Sequence, residues 1–378
     1  MNSKKNLKRN LLICLLAGSA VMYTLPLHAA TSVIANNTLP SGWQFVHGEG
    51  NIASSGLEMN ITQNGQNAVI KWNDFSVGGN ATVNFDYTGK DNFNTLNYVN
   101  SGKVSQIYGT INAQHEGYNG NIFIVNTAGV QIGPSAQINV GSLHVSSNTL
   151  DDNALKNFYD NAHEDKFALG GTGNADAVLM SLGNINATNV TFEGDGRIVI
   201  DSERIKDEAG NDKLGYQNIN ITTSADNTDN IIIGYDAYDE TNGYKIADPG
   251  TAIATVNGSD FITKADGYMW VEDVEQLQAI NTNLSGNYAL RNSIDATATS
   301  SWNNNEGFKQ IGTANNEFTG KFDGLDYNIF GLTINRSGEN NVGLFGVVDG
   351  ANINNVTLVG GSITGGQSVG AIVGSARD

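Results

Sequence analysis

The stretch from Gly102 to Ser147 constrains this chain most. Runs of three to five apolar residues, such as Ile122-Phe123-Ile124-Val125, are cut by Gly, Asn and Ser at intervals too short for helices. Short strands joined by tight turns in a long chain are the signature of a β-solenoid coil. The same texture precedes it. Glu58–Thr62, Ala68–Trp72 and Ala81–Tyr87 read as strands, separated by turn signals at Gly48-Glu49-Gly50, Asn64-Gly65 and Gly78-Gly79-Asn80. Val83, Phe85 and Tyr87 alternate with Thr82, Asn84 and Asp86, the period of two of a half-buried strand.

Strands resume at Ala177–Met180, Ile185–Ala187, Val190–Phe192, Arg197–Ile200, Ile219–Thr222 and Ile231–Ile233. An Ile-Asn pair recurs at Ile111, Ile138, Ile185 and Ile219, and more loosely at Ile353, with irregular separations that imply coils interrupted by loops. The charged segment Asp201 to Lys213 and the segment Asp236 to Pro249 read as surface excursions. Two stretches break the strand pattern. Ala154, Leu155, Phe158, Tyr159 and Ala162 recur at helical spacing behind Asp151-Asp152-Asn153, which predicts a capped helix or lid within Leu150 to Leu169 packed on the solenoid. Val271 to Ile280 predicts a second, shorter amphipathic helix. The predicted fold is therefore all-β: a β-solenoid with a small helical insertion.

Composition narrows the function. Charged residues make up only 15%, so the polar surface rests on Asn, Ser, Thr and Gly; Asn tolerates the left-handed turns a solenoid needs. The net charge is −18, and without Lys4, Lys5, Lys8 and Arg9 it is −22. Such a polyanion repels nucleic acid and anionic membranes. Met1 to Asn10 is basic, Leu11 to Val21 apolar, and Leu27-His28-Ala29 precedes Ala30, which predicts a signal peptide over residues 1–29. Cys14, the single cysteine, lies inside it, so the mature chain would hold none. A chain that crosses a narrow pore unfolded would be obstructed by a disulfide loop.

The blocks Ile70-Lys71-Trp72-Asn73-Asp74-Phe75-Ser76-Val77-Gly78, Val104-Ser105-Gln106-Ile107-Tyr108-Gly109, Ile124-Val125-Asn126-Thr127-Ala128-Gly129-Val130 and Ala136-Gln137-Ile138-Asn139-Val140-Gly141-Ser142-Leu143 lie in order across residues 35–150. In them the chain resembles the secretion domain of two-partner-secretion (TpsA) exoproteins of the filamentous haemagglutinin and high-molecular-weight adhesin group. Where that family writes Asn-Pro-Ser-Gln-Ile and Ile-Asn-Pro-Asn-Gly, this chain has Lys103-Val104 and Thr127-Ala128 at the proline-bearing positions, and retains Ser105, Gln106, Asn126 and Gly129. The resemblance implies a right-handed parallel β-helix with short extra-helical strands, and export across the inner membrane. It also implies passage, unfolded, through a TpsB/Omp85-type outer-membrane transporter with periplasmic POTRA domains. The four retained residues become the candidate transporter-recognition residues, and the destination becomes the cell surface or extracellular space.

Residues 268–378 resemble glycine-rich GLUG repeats, on Phe318-Thr319-Gly320-Lys321-Phe322-Asp323-Gly324-Leu325 and on Asn341–Gly346 echoed by Ser368–Gly374. Gly343 and Gly370 stand 27 residues apart, about one coil. The expected organisation is a signal peptide at 1–29, a secretion domain with β-helix continuation at 30–265, a repeat-leading segment at 266–335 and repeats at 336–378. The last motif ends four residues before Asp378 with no polar cap, which reads as the front of something longer.

The expected function is an exported β-helical adhesin with a surface receptor, carbohydrate being one candidate class. A contact-dependent toxin stalk is the alternative, and a polysaccharide-active β-helix enzyme a more distant one. Candidate catalytic carboxylates are thin. Glu193 and Asp195 beside Arg197, and Asp201 and Glu203 beside Arg204, read better as exposed loop charges. His47, His115, His144 and His163 have no metal-ligand spacing, His163-Glu164-Asp165 reads as a solvated helix end, and Asp226–Asn230 reads as a turn. No enzyme activity, cofactor or metal is expected.

Overall fold

The computed structural model describes residues 34–162, 167–206, 218–224, 230–258 and 260–377. The proposed signal peptide with Cys14, the His163-Glu164-Asp165 run and most of Asp226–Asn230 lie outside the described residues. The described chain forms two compact units. One, here the N-terminal unit, takes residues 34–234 and 250–267, and the C-terminal unit takes 235–249 and 268–377.

The N-terminal unit is a parallel β-helix of three sheets, visited in rotation. A coil runs through Thr82–Tyr87, Phe93–Val99 and Ser105–Ile107, one strand on each face. The next coils repeat this with Thr110–Asn112, Tyr118–Asn126 and Gly129–Ile132, then with Gln137–Asn139, Ser142–Ser146 and Val178–Ser181. On the first face the register stacks Met59, Val83, Ile111, Ile138, Ile185 and Ile205 in one inward column, all buried. On the second face the inward column is Thr95, Ile122, Leu143, Val190 and Ile219. Aliphatic columns of this kind bring like side chains together at each coil and dominate the stabilisation.

The Ile-Asn recurrence is thereby resolved, with one correction. Ile111, Ile138 and Ile185 share the first-face column, but Ile219 stacks on Val190 in the second sheet. The first-face position is taken instead by Ile205, in the strand Ile205–Lys206. The predicted surface excursion at Asp201 therefore does not begin there. Arg197–Asp201 is a sheet strand, Asp201 is buried, and Ser202–Arg204 turns the corner; residues 207–217 lie outside the described set.

Antiparallel ribbons flank these coils, as the expected extra-helical strands. Gln44–His47 pairs antiparallel with Asn67–Trp72, Gly50–Ser55 forms a hairpin with Glu58–Gln63, and Ala252–Val256 pairs antiparallel with Asp260–Thr263. The strand Gly50–Ser55 has no clear apolar run, only Ile52 and Ala53, and escaped the sequence pattern.

The predicted helix is α1, Asp152–Asn161, with the Asp151 carboxylate accepting from the Ala154 amide. It buries Leu155 and Phe158 against the outer side of the second sheet, on Val69, Leu96, Tyr98, Phe123 and Val125. This explains the unbroken apolar run Ile122–Val125: a strand covered on both sides has no polar face to alternate with. Polar bonds hold the seat, the Tyr98 hydroxyl donating to the Leu150 carbonyl at 3.2 Å and Asn94 Nδ2 to the Ala162 carbonyl at 2.9 Å.

The C-terminal unit also stacks parallel strands. Tyr268–Val271, Asn287–Leu290, Lys321–Asp323 and Asn352–Asn354 form one sheet, and Phe345–Asp349 pairs with Val373–Arg377. The two Val-Gly motifs lie on successive coils, Val342 bridging Val369 in parallel. The second helix, α2, is Val274–Ala279 capped by Asp273; Val271, read as helical, belongs to the preceding strand. The segment Asp236 to Pro249 is exposed over most of its length, as a surface excursion should be, but it is anchored. It carries a hairpin, Tyr238–Asp239 with Gly243–Tyr244, whose Tyr244 ring is buried 4.9 Å from Tyr288 and whose hydroxyl donates to the Trp270 carbonyl.

Candidate functional site

The four retained residues lie at the corner between the second and third faces. Asn126 ends the strand Tyr118–Asn126 with its side chain turned inward and fully buried. Its Nδ2 donates to the Lys103 carbonyl at 2.8 Å and to Ser105 Oγ at 2.9 Å, both one coil earlier. Its Oδ1 accepts from the Ala128 amide at 2.9 Å, closing an Asx turn. One amide thus shapes its own corner and ties it to the coil before.

Gly129 works in the other direction. Its φ is +110°, and a Cβ there would stand 2.5 Å from the carbonyl oxygen of Val178 on the following coil. A side chain would push the coils apart. Ser105 and Gln106 sit in the strand Ser105–Ile107, which pairs with Gly129–Ile132. Both are buried. The Gln106 amide donates to Ser76 Oγ at 3.1 Å, and its Oε1 accepts from the Ile34 amide.

The structure therefore brings Ser105, Asn126 and the turn before Gly129 into one bonded corner, with Gln106 beside it. In the folded chain all four residues are buried. The missing proline at position 127 has a local counterpart: the Thr127 amide, a donor that proline would lack, bonds the Val99 carbonyl of the coil before.

Sequence reading missed a second feature. On the outward side of the first sheet Asn60, Asn84, Asn112, Asn139 and Asn186 form one ladder. Each Nδ2 donates to the Oδ1 of the preceding rung at 2.6–3.0 Å, across separations of 24, 28, 27 and 47 residues. A shorter ladder, Asn67, Asn94 and Asn121, opens the second sheet. The signal was present in the Ile-Asn pairs, but the insertion carrying α1 stretches one step to 47 residues and hides the period.

The candidate catalytic carboxylates do not converge. Glu193, expected on an exposed loop, lies in the strand Asn189–Glu193. Its carboxylate meets His144 Nε2 at 2.8 Å and accepts from Asn148 Nδ2 at 3.1 Å. His144 is buried and stacks on Phe123. This pair anchors the chain leaving the second sheet, where Asn148 also holds the Gly170 carbonyl. Asp195 accepts from the Ser224 amide, and buried Asp201 faces Arg204 at 3.6 Å. Among the described residues, no three His, Cys, Asp or Glu side chains gather where a metal ion could be held.

The family model of the TPS secretion domain matches residues 33–372, most of the chain. The chain belongs to the TPS secretion-domain family. It is thus an exoprotein of two-partner secretion. Among curated relatives, halomucin of Haloquadratum walsbyi is 41% identical over 136 residues, 34% of this chain and 1% of that protein. The heme/hemopexin-binding protein of Haemophilus influenzae is 34% identical over 113 residues, 30% of this chain and 12% of that protein. The chain thus spans a small part of either relative's length. Among solved structures, the HMW1 secretion domain from Haemophilus influenzae aligns at 16% identity with a TM-score of 0.33, over 85% of this chain and 72% of that one.

Proposed function

We propose that this TPS secretion-domain protein carries the export address of a non-enzymatic adhesin, and that the address is read before the chain folds. The observation behind this reading is the burial of Ser105, Gln106, Asn126 and Gly129. Side chains sealed between coils offer nothing to a receptor, whereas the same segment unfolded presents backbone and side chains to the transporter's periplasmic POTRA domains. Pairing by strand addition uses main-chain groups, so it tolerates the departures at Lys103-Val104 and Thr127-Ala128. Once outside, the corner around Asn126 and the aliphatic columns let each coil template the next.

In this reading residues 1–29 are a signal peptide, residues 30–265 the secretion domain with its continuation, 266–335 the segment leading to the repeats, and 336–378 GLUG-type repeats. The stacked Val342 and Val369 motifs support the last assignment. The mature protein then reaches the cell surface or the medium and engages a host or bacterial receptor.

The test is co-expression with the cognate transporter, following the protein in the medium and in the periplasm. Deleting Gly102 to Ser147 is expected to abolish export and leave the chain in the periplasm. Asn126→Ala is expected to lower export of a chain whose partner-free translocation to the periplasm is unchanged. Undiminished release of the deletion variant would sink the proposal.

A further inference from the structure

One peptide bond in this chain differs chemically from the rest, and the fold leaves it open to solvent. Of the four prolines only Pro249 follows an aspartate, Asp248; Pro26, Pro40 and Pro134 follow Leu25, Leu39 and Gly133. We propose that Asp248–Pro249 is a self-cleavage site, cut by the Asp248 carboxylate, and that the two fragments stay together afterwards. This goes beyond the export reading and needs neither transporter nor receptor.

The backbone there is strained. Asp248 holds a φ of +50°. A residue with a Cβ avoids this region because the Cβ crowds the main-chain carbonyl that follows it. A residue before proline is in addition pushed towards extended backbone by the proline ring. Asp248 is thus strained on both counts, and the crowding brings its side chain up to its own carbonyl carbon. Strain of this kind gathers where a segment has a task beyond packing. Asp248, Pro249 and Gly250 are all exposed, so water reaches the bond. Among the described residues no hydrogen bond or ion pair engages the Asp248 carboxylate, which leaves it available as a nucleophile.

The step balances with water as its one co-reactant. A carboxylate oxygen of Asp248 bonds to the Asp248 main-chain carbonyl carbon, an intramolecular attack favoured by proximity. The bond from that carbon to the Pro249 nitrogen breaks, and the nitrogen takes a proton from solvent and leaves as a secondary amine. Proline suits this role because its nitrogen carries two alkyl substituents and no amide hydrogen, which makes it the more basic leaving group. Water then opens the cyclic anhydride. One fragment ends at Asp248 with a free carboxylate and the other begins at Pro249; nothing is oxidised or reduced. Mild acid speeds the step by supplying the proton to the leaving nitrogen. The other charged groups of the segment are Asp236, held by Arg291, and Asp239, Glu240 and Lys245. No charged group of another element is bonded to Asp248 among the described residues.

The path of the chain keeps the products together. Residues 235–249 belong to the C-terminal unit and residues 250–267 to the N-terminal one. The fragment ending at Asp248 therefore leaves a hairpin in the C-terminal unit, with the Tyr244 ring buried 4.9 Å from Tyr288 and the Tyr244 amide donating to Thr282 Oγ1 at 2.9 Å. The fragment beginning at Pro249 leaves Ala252–Val256 in the N-terminal unit, paired in parallel with Ile219–Thr222. There Ala254 and Val256 are buried, and the Asn257 amide donates to the Ile221 carbonyl at 2.8 Å. Each fragment completes a unit of the other, so they part only when a unit unfolds.

Incubating the purified full chain in mild acid with protease inhibitors, followed by intact mass spectrometry, tests this. Two fragments are expected, ending at Asp248 and beginning at Pro249, with masses that sum to the parent plus one water. Asp248→Ala removes the nucleophile and is expected to abolish the cut. Pro249→Ala keeps the nucleophile, replaces the leaving group and is expected to lose most of it. Both are exposed loop positions, and circular dichroism checks that wild type and variants are folded under these conditions. In gel filtration the cut chain is expected to elute as one species and to separate only in denaturant. An uncut wild-type chain, a cut at another bond, or an equal cut in either variant overturns the cleavage. Fragments that separate in native buffer overturn the retained assembly. Each of these outcomes leaves transporter-dependent export intact, so failure here is distinguishable from failure of the export reading.

Discussion

In the N-terminal unit, coil is joined to coil by aliphatic columns inside and amide ladders outside. In the C-terminal unit a stack of aromatic rings joins a short aliphatic column of Ile294, Ile329 and Leu358, and close glycine turns occur in both units, as at Gly109 and Gly320. In that stack Tyr244, Tyr288, Phe318 and Phe345 follow one another at centroid separations of 4.9, 6.3 and 4.9 Å. A Cβ on Gly320 would stand 1.9 Å from the Gly286 carbonyl oxygen, and one on Gly343 2.7 Å from that of Gly370. An aliphatic column with a side-chain ladder specifies register residue by residue, because a slip of one breaks every amide bond and turns the apolar row outward. A ring stack with glycine turns specifies spacing, since the backbones approach only where no Cβ intervenes. The unit with the bonded corner of Asn126 is the one written in the more register-specific manner.

The comparison is broken most severely in the aromatic stack. Phe345→Ala removes a fully buried ring and is expected to cost about 3–5 kcal/mol. Hydrogen exchange should show protection lost in Phe345–Asp349 and Val373–Arg377, with the ladder strands of the N-terminal unit unchanged. Loss of protection in both units alike would contradict two separate modes of stacking.

A ladder rung comes next. Asn139→Ala leaves the Asn112 acceptor and the Asn186 donor without partners, and about 1–3 kcal/mol is expected in denaturant unfolding. The same change at Asn354, whose exposed amide meets only Asn352 two residues away, should stay within about 0.5 kcal/mol. Equal losses at the two sites would deny the ladder its role.

The helix caps form a matched pair. Asp151→Ala on α1 and Asp273→Ala on α2 each remove a carboxylate that accepts an amide at 2.7 Å. A loss of about 1 kcal/mol each is expected by thermal unfolding. For α1 this should appear as faster proteolysis within its own insertion.

The smallest effects concern acid. Burial raises the Asp86 carboxyl, but hydrogen bonds from Lys90 and Tyr118 outweigh it and hold the group below the ordinary carboxylate range. Glu339 is shifted the same way, burial being outweighed by Gln310 and Arg336. For a depressed carboxyl the stabilisation is complete above its unfolded-state pKa and is lost as pH falls through the lower folded-state value. Both groups are near the surface, so Asp86→Asn and Glu339→Gln should each flatten acid unfolding by less than about 1 kcal/mol. A larger slope change from Asp86→Asn would mean the Lys90–Tyr118 cluster does more than a surface pair.

Much of the fold was legible because its signals are local. Alternation over Val83, Phe85 and Tyr87 needs only the two faces of one strand, and α1 announces itself by its own spacing and cap. The candidate corner was legible as residues but not as geometry. Nothing in Ser105 or Asn126 taken alone says that one bonds the other across 21 residues, or that both are sealed from solvent.

By itself the sequence determined the strand period, the turns, both helices and the family blocks, since each rests on side chains a few residues apart. Only the tertiary structure decided that Ile205 rather than Ile219 continues the Ile111 column, that Glu193 binds His144, and that Asp201 lies inside. It alone also assembled five asparagines into a ladder. These are matters of register between coils, and an insertion of variable length shifts every partner beyond it without altering the local pattern that either partner shows.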